Sequence, residues 1–350
     1  MLKKCLFVLA GCLAVLSSVA LAGELLINGA GATFPYPIYS KWFDTYSHVV
    51  GGVRFNYQSI GSGGGVKQIT AQTVDFGASD GPMSDDELDK APGKILHIPT
   101  VMGAVVVAYN VPGIASGLKL TGENIVDIFS GNITKWNDTK IAQNNPGISL
   151  PDQDIVTVHR SDGSGTTYIF TDYLSHVSLL GWKMKVGTGK SVKWPNGLGG
   201  KGNEGVAGTL TNTPGAVGYV ELAYAKLNNL SYAFIQNRAG KFIEPSIAAT
   251  TAAMKAAKVP SDFRMSIVDQ QGEDAYPIAG LTWLLVYQKQ KDEAKGKAMV
   301  HFLWWALHEG QSMAQDLGYA PLPPEVVDMV EKEIKRIKHG GKTLLDTIQR

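Results

Sequence analysis

Two apolar runs set the frame for this chain. Residues 101–110 (Val-Met-Gly-Ala-Val-Val-Val-Ala-Tyr-Asn) and 277–287 (Pro-Ile-Ala-Gly-Leu-Thr-Trp-Leu-Leu-Val-Tyr) are almost continuously apolar. A strand with one wet face alternates; a run without alternation is covered on both faces. Pro112-Gly113 and Gly117 punctuate the end of the first run. We read the pair as crossovers. The chain leaves a first domain near residue 105, builds a second to about 276, then returns. The expected segments are 23–104, 105–276 and 277–350. A single large domain and a simple tandem fit the same spacing, and 350 residues suffice for two domains.

The first residues do not belong to this frame. Lys3 and Lys4 precede an apolar stretch over 6–19, and Ala20-Leu21-Ala22 is a small-x-small cleavage site. Residues 1–22 are therefore read as a secretory signal peptide, which places the mature chain in the periplasm. Leu9-Ala10-Gly11-Cys12 also fits a lipoprotein box, so an anchor through Cys12 is the alternative. Both cysteines, Cys5 and Cys12, lie here, so the mature chain offers no disulfide or thiolate metal site. Without Lys3 and Lys4 the balance is 30 basic to 31 acidic residues, which suggests neither nucleic acid nor a membrane surface as partner.

One local pattern recurs three times: a strand, a glycine-broken turn carrying hydroxyls, and a helix start. Residues 25–28 run into Gly29-Ala30-Gly31-Ala32-Thr33-Phe34-Pro35, with a helix expected over 36–46. Pro35 and Pro37 suit a first helical turn, whose N–H groups have no intrahelical partner. Residues 53–58 alternate as a strand, Ser59-Ile60-Gly61-Ser62-Gly63-Gly64-Gly65 turns, and a helix follows from Val66. Residues 155–158 lead into Arg160-Ser161-Asp162-Gly163-Ser164-Gly165-Thr166 and a helix to about 174. Unpaired first-turn N–H groups and the positive end of the helix dipole make such starts anion sites. Arg160 adds a full charge on a planar fork, and Asp162 is close enough to hold it. Each turn alone is equally well an ordinary capped connection.

Two further segments frame the pattern. Asp75-Phe76-Gly77-Ala78-Ser79-Asp80-Gly81-Pro82 reads as a short strand ending in an acid, and Ser84 with Glu87 forms a capping box. Lys193-Trp194-Pro195-Asn196-Gly197-Leu198-Gly199-Gly200-Lys201-Gly202-Asn203 lacks the Ser or Thr that a phosphate loop carries after its lysine. We take it as a structural or hinge-facing loop. A ligand reached by all three turns would lie in the cleft between the domains.

Residues 29–35, Val74-Asp75-Phe76-Gly77-Ala78-Ser79-Asp80, Asp162-Gly163-Ser164-Gly165-Thr166 and Lys193-Trp194-Pro195 together resemble the periplasmic phosphate-binding proteins of the phosphate-specific ABC transporter. The match runs in order over nearly the whole mature chain. It implies an α/β, two-lobed, type II-like periplasmic binding protein fold, each lobe a mixed sheet flanked by helices, joined by crossover hinge strands. It implies inorganic phosphate in the cleft, delivered to membrane permease subunits, with no cofactor, no metal, no catalytic residue and a monomeric state. Carried over by position, the ligand contacts fall on Thr33, Phe34, Ser62, Asp80, Arg160, Ser164, Gly165 and Thr166, with Asp162 supporting Arg160. Gly63, where relatives often carry a second serine, and Gly81 depart from the pattern.

The residues suggest how such a site would choose its ligand. A cage of donors alone accepts sulfate as readily as phosphate, whereas a carboxylate such as Asp80 accepts a hydrogen bond only from an anion that retains a proton. A hydrolase using Ser164 is the main rival. Ser needs a base, and His159 is expected on the opposite strand face from Arg160. A carrier for another oxyanion is the second rival.

Overall fold

The structure is a computed structural model that describes residues 24–345. The signal-peptide and lipoprotein readings fall on residues outside this range. The elements that position the site are β1 (Leu25–Gly31), α1 (Tyr36–Val49), β2 (Val53–Ser59), α2 (Ser62–Thr70), β3 (Phe76–Ser79), β4 (Ile95–Tyr109), β5 (Val156–Arg160), α3 (Gly165–Val177), β6 (Leu198–Gly200), α4 (Gly202–Asn212), β7 (Ala216–Glu221), β8 (Ala279–Tyr287) and α5 (Glu293–Leu307).

The main sheet has the order β2-β1-β3-β8-β4-β7-β5-β6. The β1–β2, β1–β3, β5–β7 and β5–β6 pairs are parallel, while β8 and β4 run antiparallel to their neighbours at the centre. The fifteen-residue β4, buried throughout, holds the two halves together. Over Ile95 to Ala104 it pairs with β8, and over Val105 to Tyr109 it pairs with β7. The change of partner falls between neighbouring residues of one strand.

The first apolar run thus begins six residues earlier than its β-branched stretch suggests, at Ile95, and includes Pro99. Proline lacks a ladder N–H and is tolerated at an irregularity. Here the β4–β8 register slips between Thr282 and Trp283, which pair with Val101 and Pro99, so Thr100 is the extra residue. Its hydroxyl meets that of Tyr39 at 2.8 Å and reaches Thr282 O at 3.3 Å.

Helices cover both faces. The apolar stripe of α1 carries Tyr39, Trp42, Phe43 and Tyr46 into an aromatic cluster with Phe55, Phe76 and Phe302. In the other half Phe129, Phe170, Trp194 and Tyr219 stack together. This is the two-lobed α/β arrangement, and the turns after β1, β2, β5 and β6 meet between the halves.

Candidate functional site

Each segment delivers its polar group for a local reason. After β1 the chain turns into α1 with Pro35 as N-cap and proline in the first turn. Thr33 O accepts from Tyr224 Oη at 2.6 Å, and Phe34 O accepts from Tyr319 Oη at 2.6 Å. A trans peptide is planar, so fixing the Thr33 carbonyl aims the Phe34 N–H the opposite way. After β2, α2 begins at Ser62, four residues earlier than the sequence suggested, because Gly61 at φ 84° supplies the turn. Ser62 therefore stands in the first helical turn rather than in a loop.

Asp80 follows the last residue of β3 and is buried. Its Oδ1 accepts from Thr282 Oγ1 at 2.9 Å, and Ser62 Oγ lies 3.4 Å from Oδ2. Burial pushes this carboxyl up to about 7, against the partial opposition of Thr282, Arg160 and Ser62.

Across the cleft, β5 ends in Arg160, whose side chain is 1% exposed. Its Nε and Nη2 donate to the two oxygens of Asp162 at 2.8 and 2.5 Å, and Nη1 donates to Thr166 Oγ1 at 3.3 Å. Burial resists ionisation of Asp162, but the two guanidinium bonds outweigh it and hold the carboxyl below its ordinary range. Ser164 is the N-cap of α3 and accepts from Thr167 N at 3.0 Å, which leaves its hydroxyl proton to point elsewhere. Gly165 N donates to Ser62 Oγ at 3.0 Å across the cleft. A Cβ at Gly165 would sit 2.5 Å from Asp80 Oδ2, so only glycine lets this helix start approach the acid. All eight predicted contact positions, with Asp162 beside them, form one buried cluster.

Sequence reasoning missed Asn203 and Thr282. The segment taken as a structural or hinge-facing loop is a fourth strand–turn–helix start, made by β6 and α4. Asn203 is wholly buried at the second position of α4. Its Nδ2 donates to Thr33 Oγ1 at 2.8 Å and to Thr166 Oγ1 at 3.1 Å, its backbone N donates to Thr33 Oγ1 at 3.1 Å, and its Oδ1 accepts from Glu221 N at 2.9 Å. Gly202 N donates to Asp162 Oδ1 at 3.0 Å, so this helix start also orients the Arg160 carboxylate. The recurring Gly-x-Gly before a helix was the available signal. His159 stacks on Trp194 with ring centroids 4.9 Å apart, and its Nδ1 lies 3.1 Å from Arg160 O.

These helix starts, with one guanidinium and one raised carboxyl between two lobes, have counterparts among known proteins. A family model described as the PBP superfamily domain matches residues 18–308. The phosphate-binding protein PstS of Pasteurella multocida (strain Pm70) is 47% identical over 323 residues, 91% of this chain and 93% of that one. The chain belongs to this phosphate-binding protein family. The PstS protein of Xylella fastidiosa (strain Temecula1 / ATCC 700964) is 48% identical over 87% of this chain and 84% of its own. A high-affinity periplasmic phosphate-binding protein solved with phosphate shares the fold, with TM-score 0.72 and 21% identity over 88% of this chain and 93% of that one. A putative phosphate ABC transporter substrate-binding protein of Clostridium perfringens, solved with phosphate, is a further fold neighbour, with TM-score 0.63 and 16% identity over 85% of this chain and 100% of that one. Among the described residues no cluster of His, Cys, Asp and Glu could hold a metal ion, and no helix is long and apolar enough to cross a membrane.

Proposed function

We propose that this chain captures inorganic phosphate in the cleft between its lobes and delivers it to the membrane permease subunits of a phosphate ABC transporter. The reading places it in the periplasm, acting as a monomer. We assign the lobes to 23–104 with the return segment 277–350, and to 105–276. The observation that carries the site assignment is the convergence of N–H and hydroxyl donors around the buried Asp80 carboxyl. Thr33, Phe34 and Ser62 serve the anion from one lobe. Arg160, Ser164, Gly165 and Thr166 serve it from the other. Arg160 has five N–H donors, three of them engaged on Asp162 and Thr166, and this reading assigns the remaining two to the ligand.

Asp80 inspects the ligand. Near neutral pH phosphate retains a proton and donates it to the carboxylate; sulfate has none, and two anionic oxygens face each other. Hydrogen bonds to charged groups contribute roughly 1.5–3 kcal/mol each, and a dissociation constant of about 1 μM requires only about 8 kcal/mol net. Several such bonds can therefore offset the cost of association. Calorimetry of ligand-stripped protein against phosphate, arsenate, sulfate and molybdate tests this. At pH 8, where Asp80 is mostly ionised, micromolar or tighter phosphate binding with sulfate silent is expected; sulfate binding equal to phosphate would overturn the role of Asp80.

A further inference from the structure

The lobes also touch away from the anion site, along one rim of the cleft. Lys190 lies in the loop ahead of β6, and its side chain is 14% exposed. Its Nζ crosses to the other lobe and donates to Glu87 Oε2 at 2.7 Å and to Pro82 O at 2.9 Å. Its own carbonyl accepts from Ser164 N at 2.7 Å, so the residue is fixed to the cap of α3. Glu87 Oε2 in turn accepts from Ser84 N in the capping box, which fixes the carboxylate. The next carbonyl along, Met83 O, accepts from Arg264 Nη1 at 3.1 Å. The loop carrying Asp80 is therefore gripped two and three residues further on, by cations of other segments.

A second contact lies on the same rim. Gly63 N donates to Gly163 O at 2.8 Å, a direct backbone bond between the lobes. A Cβ at Gly63 would lie 3.1 Å from Gly163 Cα, and one at Gly163 would lie 3.0 Å from Gly63 Cα. That spacing is too tight for a side chain without a shift, so the departure at Gly63 has a physical use. None of the four residues in these contacts is among those assigned to the anion.

Resting on the phosphate reading above, we propose that Lys190, Glu87 and the Gly63–Gly163 bond form a clasp that holds the closed lobes together and sets the rate at which phosphate leaves. The clasp forms only after the lobes meet. Its loss therefore speeds opening and leaves capture, which begins from open lobes, nearly unchanged. Lys190 is a positioning residue, acting on the ligand through the loop that carries Asp80 and through Ser164. The geometry asks for a cation of this length at 190 and a carboxylate at 87.

Stopped-flow measurement of phosphate association and of release into a phosphate trap tests this on the mature protein. Lys190→Met is expected to release phosphate about 10-fold faster, with association within about 2-fold of the parent. Glu87→Gln, which keeps the capping oxygen, is expected to speed release by a few-fold. The double variant is expected to be no faster than Lys190→Met, since both break one contact. Lys190→Arg should restore slow release. Parent-like release from Lys190→Met, or multiplicative effects in the double variant, overturns the clasp while leaving the phosphate reading intact. A parent that fails to bind phosphate removes both.

Discussion

From the β1–β3 side the cleft receives Thr33, Ser62 and Asp80; from the β5–β7 side it receives Arg160, Ser164 and Thr166. The first set offers neutral donors and the Asp80 carboxyl, which burial pushes up to about 7. The second brings a full positive charge and the N-terminus of a thirteen-residue helix. On the function proposed above, one side attracts any oxyanion and the other tests whether it carries a proton. That reading places the test on the opposing lobe, so discrimination is expected at closure rather than at first contact.

Removing the attracting charge should break this division most severely. Arg160→Ala is expected to weaken phosphate binding by about 1,000-fold or more in calorimetry. It also strands Asp162, whose side chain is 14% exposed, and breaking a buried pair in this way costs roughly 3–5 kcal/mol. A clear fall in melting temperature should therefore accompany the loss of affinity. An Arg160→Ala protein with native affinity and melting temperature would refute the assignment.

Removing the test should relax selectivity instead. Asp80→Asn is expected to bind sulfate about 10- to 100-fold more tightly than the parent does, in line with roughly 1.5–3 kcal/mol for a bond to a charged group. The same carboxyl gives a pH signature. Its folded value lies near 7, against 3.8 for an ordinary aspartate. A protonated Asp80 donates rather than repels, so sulfate should compete increasingly well as pH falls from 8 to 5 in the parent, but not in Asp80→Asn. The linked effect on stability runs in the same direction, greater at low pH. The fold favours protonated Asp80, so the ligand-free parent loses stability as pH rises from about 4 to 7. The melting temperature of Asp80→Asn should exceed the parent's by a margin that grows over that window and then levels off. A constant margin would place the shifted carboxyl elsewhere.

Two smaller changes sharpen the comparison. Asn203 joins the two sides, donating to Thr33 and Thr166 at once. Asn203→Ala should cost about 10- to 100-fold in phosphate affinity, with both hydroxyls left to reorient. Thr282→Val removes one donor from Asp80. It should shift the sulfate competition profile to higher pH and weaken phosphate by about 5-fold at pH 7, the value of a single hydrogen bond. Equal effects from Thr282→Val at pH 5 and pH 8 would show that the hydroxyl acts on something other than the Asp80 carboxyl.

The three glycine turns were legible because each is a local event: a strand, a required turn and an exposed helix start within some fifteen residues. Arg160 and Asp162 were legible for the same reason, two positions apart on one turn. Thr282 was not, since its role depends on β8 lying beside β3 and on the extra residue at Thr100. Asn203 escaped for a different reason. Its segment was compared with a nucleotide loop, and the missing Ser or Thr after Lys201 hid the helix start that was there. Tyr224 and Tyr319, which aim the carbonyls of Thr33 and Phe34, come from 191 and 285 residues away. No window on the sequence joins them. The early start of β4 was concealed by Pro99, a residue that argues against a central strand until the register slip beside it is seen.

The switch of partners within β4 has a consequence for anyone wishing to dissect this molecule. Cutting the chain between Ala104 and Val105 would divide fifteen residues that serve as a common rail, and each fragment would keep a stub whose continuation was lost. Separately expressed fragments should therefore be sticky and poorly folded, whereas circular permutants that open the chain elsewhere should survive.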